Sequence, residues 1–112
     1  MEISSRAEGR LLVIAVHERR IDAAAAIAFK DAVRPLLAGG DPLVLIDLKE
    51  VDFIDSSGLG AIVAAFKSLG PGRMMALAGL SPTVQKVFQL TRMDTIFRIF
   101  PDLEQALSEL VA

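Results

Sequence analysis

Two aspartates and two serines in the run Val51-Asp52-Phe53-Ile54-Asp55-Ser56-Ser57-Gly58-Leu59-Gly60 are the residues of this chain best suited to chemistry. A serine hydroxyl held in a sharp turn can receive a phosphoryl group. A helix starting there offers unpaired N–H groups and a partial positive charge to an anion. The apolar stripe Leu59, Ile62, Val63, Phe66 and Leu69 predicts such a helix from Ser57 onward. Gly58 and Gly60 leave little side chain over its first turn, so a phosphate or another protein's backbone has room to approach. The same residue types also serve as ordinary caps, because Asp and Ser are favoured N-cap residues. The glycines point toward access, since each costs a helix roughly 1 kcal/mol against alanine.

Other chemistry finds little support. The chain has no cysteine, which removes disulfides, thiolate nucleophiles and Cys-type zinc sites. His17 is the one histidine, so no histidine pair exists for a metal, and no metal or cofactor is expected. His17 has no nucleophile motif near it in sequence and reads as an exposed or half-buried structural residue. Ser56 lacks the G-x-S-x-G setting of a hydrolase nucleophile. Asp47 lies inside an apolar run with no acidic neighbour, unlike a metal or acyl-phosphate site. No phosphate-cradling glycine motif is present, so no catalytic residue is assigned and the chain is not read as an enzyme.

The elements that must position the Asp-Ser run follow from hydrophobic spacing. Of the 112 residues, 53% are hydrophobic, and the mean hydropathy is +0.49. That excess lies in short periodic pieces, none near the ~20 apolar residues of a membrane span. Ile3–Ala7 and Leu11–Val16 predict a hairpin, with Glu8-Gly9 as its turn. Asp22 caps a helix from Ala23 to about Leu37, which Pro35 should kink or loosen and Gly39-Gly40 should end. Leu43–Leu48 reads as a parallel strand buried on both faces, followed by a short connector, Val51–Asp55. After the helix that starts at Ser57 come a strand at Met74–Ala78 and a helix opened by Ser81-Pro82. A strand at Ile96–Phe100 and a helix capped by Asp102 complete the chain. The fold class is α/β, one domain over residues 1–112 in the order β-β-α-β-α-β-α-β-α. It has a mixed sheet of about five strands packed against about four helices.

A net charge of −2 and the absence of a basic stripe disfavour nucleic acid as a partner. The N-terminus has no charged-then-apolar leader pattern, so a cytoplasmic location is expected.

The segment Val44–Leu48 followed by Val51–Gly60 resembles the signature of the STAS domain and is similar to bacterial anti-sigma factor antagonists. Supporting matches are Arg20-Ile21-Asp22-Ala23-Ala24 before the first helix, Ala78-Gly79-Leu80-Ser81-Pro82-Thr83-Val84 at a later strand-to-helix step, and Leu107 in a C-terminal helix. The resemblance implies a phosphorylation switch. The serine directly after the Asp of D-S-[ST]-G is the one phosphorylated, and here that is Ser56. Ser57 is then a neighbouring helix cap or support.

The resemblance further implies that the unphosphorylated form binds an anti-sigma factor, often a serine-protein kinase of the histidine-kinase-like ATPase type, and frees a sigma factor. A PP2C-type phosphatase resets the cycle. The implied partner-binding residues are Asp22, Asp52, Asp55, Ser56, Ser57, Gly58, Leu59 and Gly60, with Ile54, Leu59 and Ile62 forming an apolar patch that serves either the partner or the core. The family's glycine before the first helix is replaced by the charged stretch Glu18-Arg19-Arg20. Those arginines either meet an acidic partner or are solvated. The alternative role is a stand-alone subunit of a lipid-transport ABC complex or a sensory scaffold. The expected oligomeric state is a monomer or weak dimer.

Overall fold

The computed structural model describes residues 1–111. The chain opens with an antiparallel hairpin of β1 (Ile3–Glu8) and β2 (Leu11–Val16), turned at Gly9 with φ +62°. Beyond a two-residue strand, β3 (Arg20–Ile21), run α1 (Ala23–Leu37), β4 (Leu43–Asp47), a second two-residue strand β5 (Phe53–Ile54), and α2 (Ser56–Ser68). Then come β6 (Met74–Ala78), α3 (Pro82–Leu90), a 3-10 turn at Met93–Thr95, β7 (Arg98–Phe100) and α4 (Leu103–Leu110).

The main sheet has the order β1-β2-β4-β6-β7, and every pair except β1–β2 is parallel. This is the expected mixed five-stranded sheet with four helices. β2 and β4 are apolar along nearly their whole length because both faces of the sheet are covered. One face carries Ile14, Ile46 and Leu77 against Phe29 of α1, Ile62 of α2 and Phe88 of α3. The other carries Val13, Leu45 and Ala76 under α4, whose Ala106 is fully buried. Asp47, at the end of β4, is only 2% exposed, and its Oδ1 accepts the Lys49 N–H at 3.1 Å.

Three expectations needed adjustment. The last strand starts at Arg98, two residues later than its apolar run, because Ile96 lies in the segment that leaves the 3-10 turn. Pro35 sits inside α1, which has the expected bounds, but the end beyond it is tightened where loosening was expected. The helix runs on to Leu37, after which the Gly39 and Gly40 N–H groups bond three residues back, a tightened final turn. The connector Val51–Asp55 is not plain loop. Its Phe53 and Ile54 pair in parallel with Arg20 and Ile21 in a separate two-stranded ladder.

Candidate functional site

The head of α2 is built by that small ladder. After β4 the chain turns at Leu48–Val51, with both end residues fully buried. Asp52 and Phe53 then donate their N–H groups to the Arg19 carbonyl, and the Asp55 N–H donates to the Ile21 carbonyl. Side chains reinforce the pairing. Arg19 bridges to Asp52 at 2.8 Å, and the Arg20 guanidinium lies 4.4 Å from the Phe53 ring centre. Both arginines thus tie the two site loops together while staying largely exposed to solvent. His17 extends the same tie to the hairpin. Its Nε2 lies 2.7 Å from Ser4 Oγ and its Nδ1 2.7 Å from a Glu50 carboxylate oxygen.

Asp55 organises two helices at once. Its backbone is extended, the geometry of an N-cap, and its Oδ1 accepts the Gly58 N–H at 2.9 Å. Its other oxygen accepts the Ala23 N–H of α1 at 3.2 Å. Asp22 caps α1 in its own right, accepting the Ala25 N–H at 3.1 Å. Two carboxylates thus stand at two adjacent helix N-termini, where negative charge is favoured. This corrects the expectation for Ser57. Asp55 is the cap, so α2 begins at Ser56, and Ser57 is the second helical residue with its side chain in solvent.

The eight implied contact residues divide by exposure. Ser56, Ser57, Gly60 and Asp52 face solvent, while Asp22 and Asp55 are half-buried. Gly58 and Leu59 are buried, so neither offers a surface. A Cβ on Gly58 would lie 2.0 Å from the Ile21 carbonyl oxygen. That glycine exists so that the first turn of α2 can press onto β3. A Cβ on Gly60 would meet nothing within 4 Å. The two glycines, read alike from sequence, do different things. Ile54, Leu59 and Ile62 all belong to the core, which settles the apolar patch as packing.

The exposed result is a small, side-chain-poor platform. Ser56 and Ser57 cross the head of α2 beside Ala23 and Ala24 of α1, held rigidly from below by Asp55 and Gly58. A family model described as the STAS domain matches residues 2–106. The chain belongs to the STAS family.

Among curated relatives of this STAS domain, the anti-sigma-B factor antagonist of Listeria monocytogenes is 38% identical over 80 residues, 70% of each chain. The anti-sigma-F factor antagonist RsfB of Mycobacterium tuberculosis is 27% identical over 88 residues, 79% of this chain and 72% of the relative. Among solved structures, an anti-sigma factor antagonist from Mycobacterium paratuberculosis superposes with a TM-score of 0.89 at 26% identity, covering 99% of this chain and 94% of that one.

The other STAS-like step, Ala78–Val84, also takes its expected form. Gly79 turns with φ +73°, and Ser81 Oγ accepts the Val84 N–H at 3.2 Å. Sequence reading missed the β3–β5 ladder and the second bond of Asp55, both of which join residues more than thirty positions apart. No helix of the described residues is long and apolar enough to cross a membrane.

Proposed function

We propose that this STAS domain is an anti-sigma factor antagonist that works by partner switching at Ser56. In its unphosphorylated form it binds an anti-sigma factor of the serine-protein kinase type and so frees a sigma factor. Transfer of the γ-phosphoryl group of ATP to Ser56 Oγ ends the complex. The Oγ–P bond forms, the bond to the leaving ADP breaks, and the hydroxyl proton passes to a base on the kinase. A PP2C-type phosphatase hydrolyses the phosphoserine and restores binding. This makes the domain a binding module acting in the cytoplasm, not an enzyme.

The observation that carries this reading is the setting of Ser56. It is the exposed first residue of α2, next to a cap carboxylate whose two oxygens are already engaged by N–H groups. A phosphate there adds about −1.5 to −2 charge. The helix N-terminus accommodates that charge, so the fold need not change. A partner seated on the neutral platform of Ser56, Ser57 and Gly60 does not accommodate it, and Asp52 and Asp55 add like charge beside it. The remaining implied residues act as support. Asp22 and Asp55 hold the helix heads, and Gly58 and Leu59 fix the height of Ser56 above the core. The names of the relatives agree with the role, and an exposed serine at this position favours a switch over a purely structural subunit of a transporter or scaffold.

The test is intact-mass analysis after incubation with a candidate kinase and ATP, with the site mapped by fragmentation. One phosphate on Ser56 is expected. Ser56→Ala should retain the anti-sigma factor and resist modification, whereas Ser56→Asp should bind poorly. Equal retention of both variants would contradict the proposal.

A further inference from the structure

We propose that Ser4 is an activated nucleophile, a site of covalent acylation separate from Ser56, with His17 as its base and Glu50 as the residue that positions the base. His17 Nε2 lies 2.7 Å from Ser4 Oγ, and Nδ1 lies 2.7 Å from a Glu50 carboxylate oxygen. An ionised carboxylate can only accept, so Nδ1 carries the ring proton. In the neutral imidazole Nε2 is then an acceptor, and the Ser4 hydroxyl donates to it. A hydroxyl bonded to a base, with the base oriented by a third group, is the arrangement that activates a serine. The three residues come from β1, the residue after β2 and the turn after β4. They stand 13 and 33 positions apart, so no local motif announces them.

The surroundings define the reaction. The His17 main-chain N–H donates to the Glu2 carbonyl, and with the β1–β2 register this makes Glu2, Ser4, Arg6 and Glu8 the residues whose main chain faces β2. The main-chain groups of Ser5 therefore face the open edge of the sheet, where β1 is the outermost strand. The Ser5 N–H, next in the chain to the nucleophile, is thus free to meet an oxyanion. Ser4 is exposed, and His17 is half-buried. The Glu18 carboxylate, which accepts the Glu2 N–H at 3.1 Å, and that of Glu50 make this end of the hairpin acidic. That charge disfavours an anionic donor, so the substrate class is a small, uncharged, activated ester. Ser4 Oγ bonds to the acyl carbon as its proton passes to Nε2. The bond from that carbon to the leaving oxygen then breaks, and the leaving oxygen takes the proton from Nε2. Ser4 pairs with Ala15, on the face of the sheet that carries Val13 under α4, whereas α2 packs on the other face. The acyl group therefore ends on a side chain remote from the head of α2.

The experiment treats the full chain with two probes. A fluorophosphonate exchanges its fluoride for a serine oxygen, and the adduct is mapped by fragmentation. With p-nitrophenyl acetate, the initial release of p-nitrophenolate gives the rate. Ser5 is the internal reference, since it is also exposed and both nitrogens of the one histidine are engaged elsewhere. Ser4 should carry about tenfold more label than Ser5, or better, and His17→Gln and His17→Ala should each slow both reactions about 100-fold. Glu50→Gln keeps an acceptor for the Nδ1 proton, so it should stay faster than Glu50→Ala while Tm is level in both. A merely structural Glu50 would not order the two rates at constant Tm. Circular dichroism verifies each fold, and the comparison of Ser4 with Ser5 needs no variant. Equal labelling of the two serines, or labelling of Ser4 that survives both His17 variants, overturns the proposal.

Discussion

The heads of α2 and α3 solve the same problem in different ways. Each helix starts where the chain leaves a strand, and each has a side-chain oxygen accepting the N–H three residues on. At α3, Ser81 caps, Pro82 occupies the first helical position and Val84 is fully buried. Proline there has its dihedral set in advance and has no N–H to leave unpaired. This is a start built for stability. At α2 the first position is an exposed serine and the third is a glycine, choices that weaken a helix. The deficit is offset from outside the helix, by an aspartate that also bonds α1 and by backbone contact with Ile21. A head that depends on its neighbours in this way is rigid while leaving its top bare.

The contrast can be broken most sharply at Gly58. Gly58→Ala drives a Cβ into the Ile21 carbonyl, so urea unfolding should show a loss of about 3 kcal/mol, the upper range for overpacking. An unchanged midpoint would mean that α2 does not press on β3. Next is Asp55→Ala, which removes the cap of α2 together with the bond to the Ala23 N–H of α1 and should cost about 2 kcal/mol, with Asp55→Asn costing less. A smaller loss than that of Ser81→Ala would show that the Ala23 bond contributes nothing. Ser81→Ala should cost about 1 kcal/mol as an ordinary cap deletion and leave anti-sigma factor binding unchanged. The smallest effect is at Gly60, where open space lets Gly60→Ala gain about 0.5 kcal/mol through helix propensity. The added methyl group should at the same time weaken partner binding. A stabilised variant that binds as well as wild type would remove Gly60 from the platform.

These two heads also show what sequence can reveal. Ser81-Pro82 and Asp102 are local signals, and each caps the helix it precedes. The strands Leu11–Val16, Leu43–Asp47 and Met74–Ala78 were legible because burial on both faces leaves continuous apolar runs. β3 and β5 were not, because two residues carry no periodicity, and their pairing joins distant parts of the chain. Gly58 and Gly60 look equivalent in sequence for the same reason. What separates them is the Ile21 carbonyl, 37 positions away from Gly58. Arg19 and Arg20 are largely solvated, one of the two readings their charge allowed, and what the sequence did not show is that they also reach Asp52 and Phe53. Ser56 itself was legible as a candidate, since the D-S-S-G-L-G run is local, but its height above the platform depends on contacts that are not.

The central claim is that phosphate on Ser56 ends binding without altering the fold. The most direct measurement is calorimetric titration of a kinase-type anti-sigma factor with two samples of the chain, one unphosphorylated and one fully phosphorylated on Ser56, with thermal unfolding of both recorded in parallel. Like-charge juxtaposition at an interface costs several kcal/mol, so phosphorylation should reduce affinity by about 100-fold or more while Tm stays level. Equal affinity for the two samples, or loss of binding accompanied by a fall in Tm, would contradict the account.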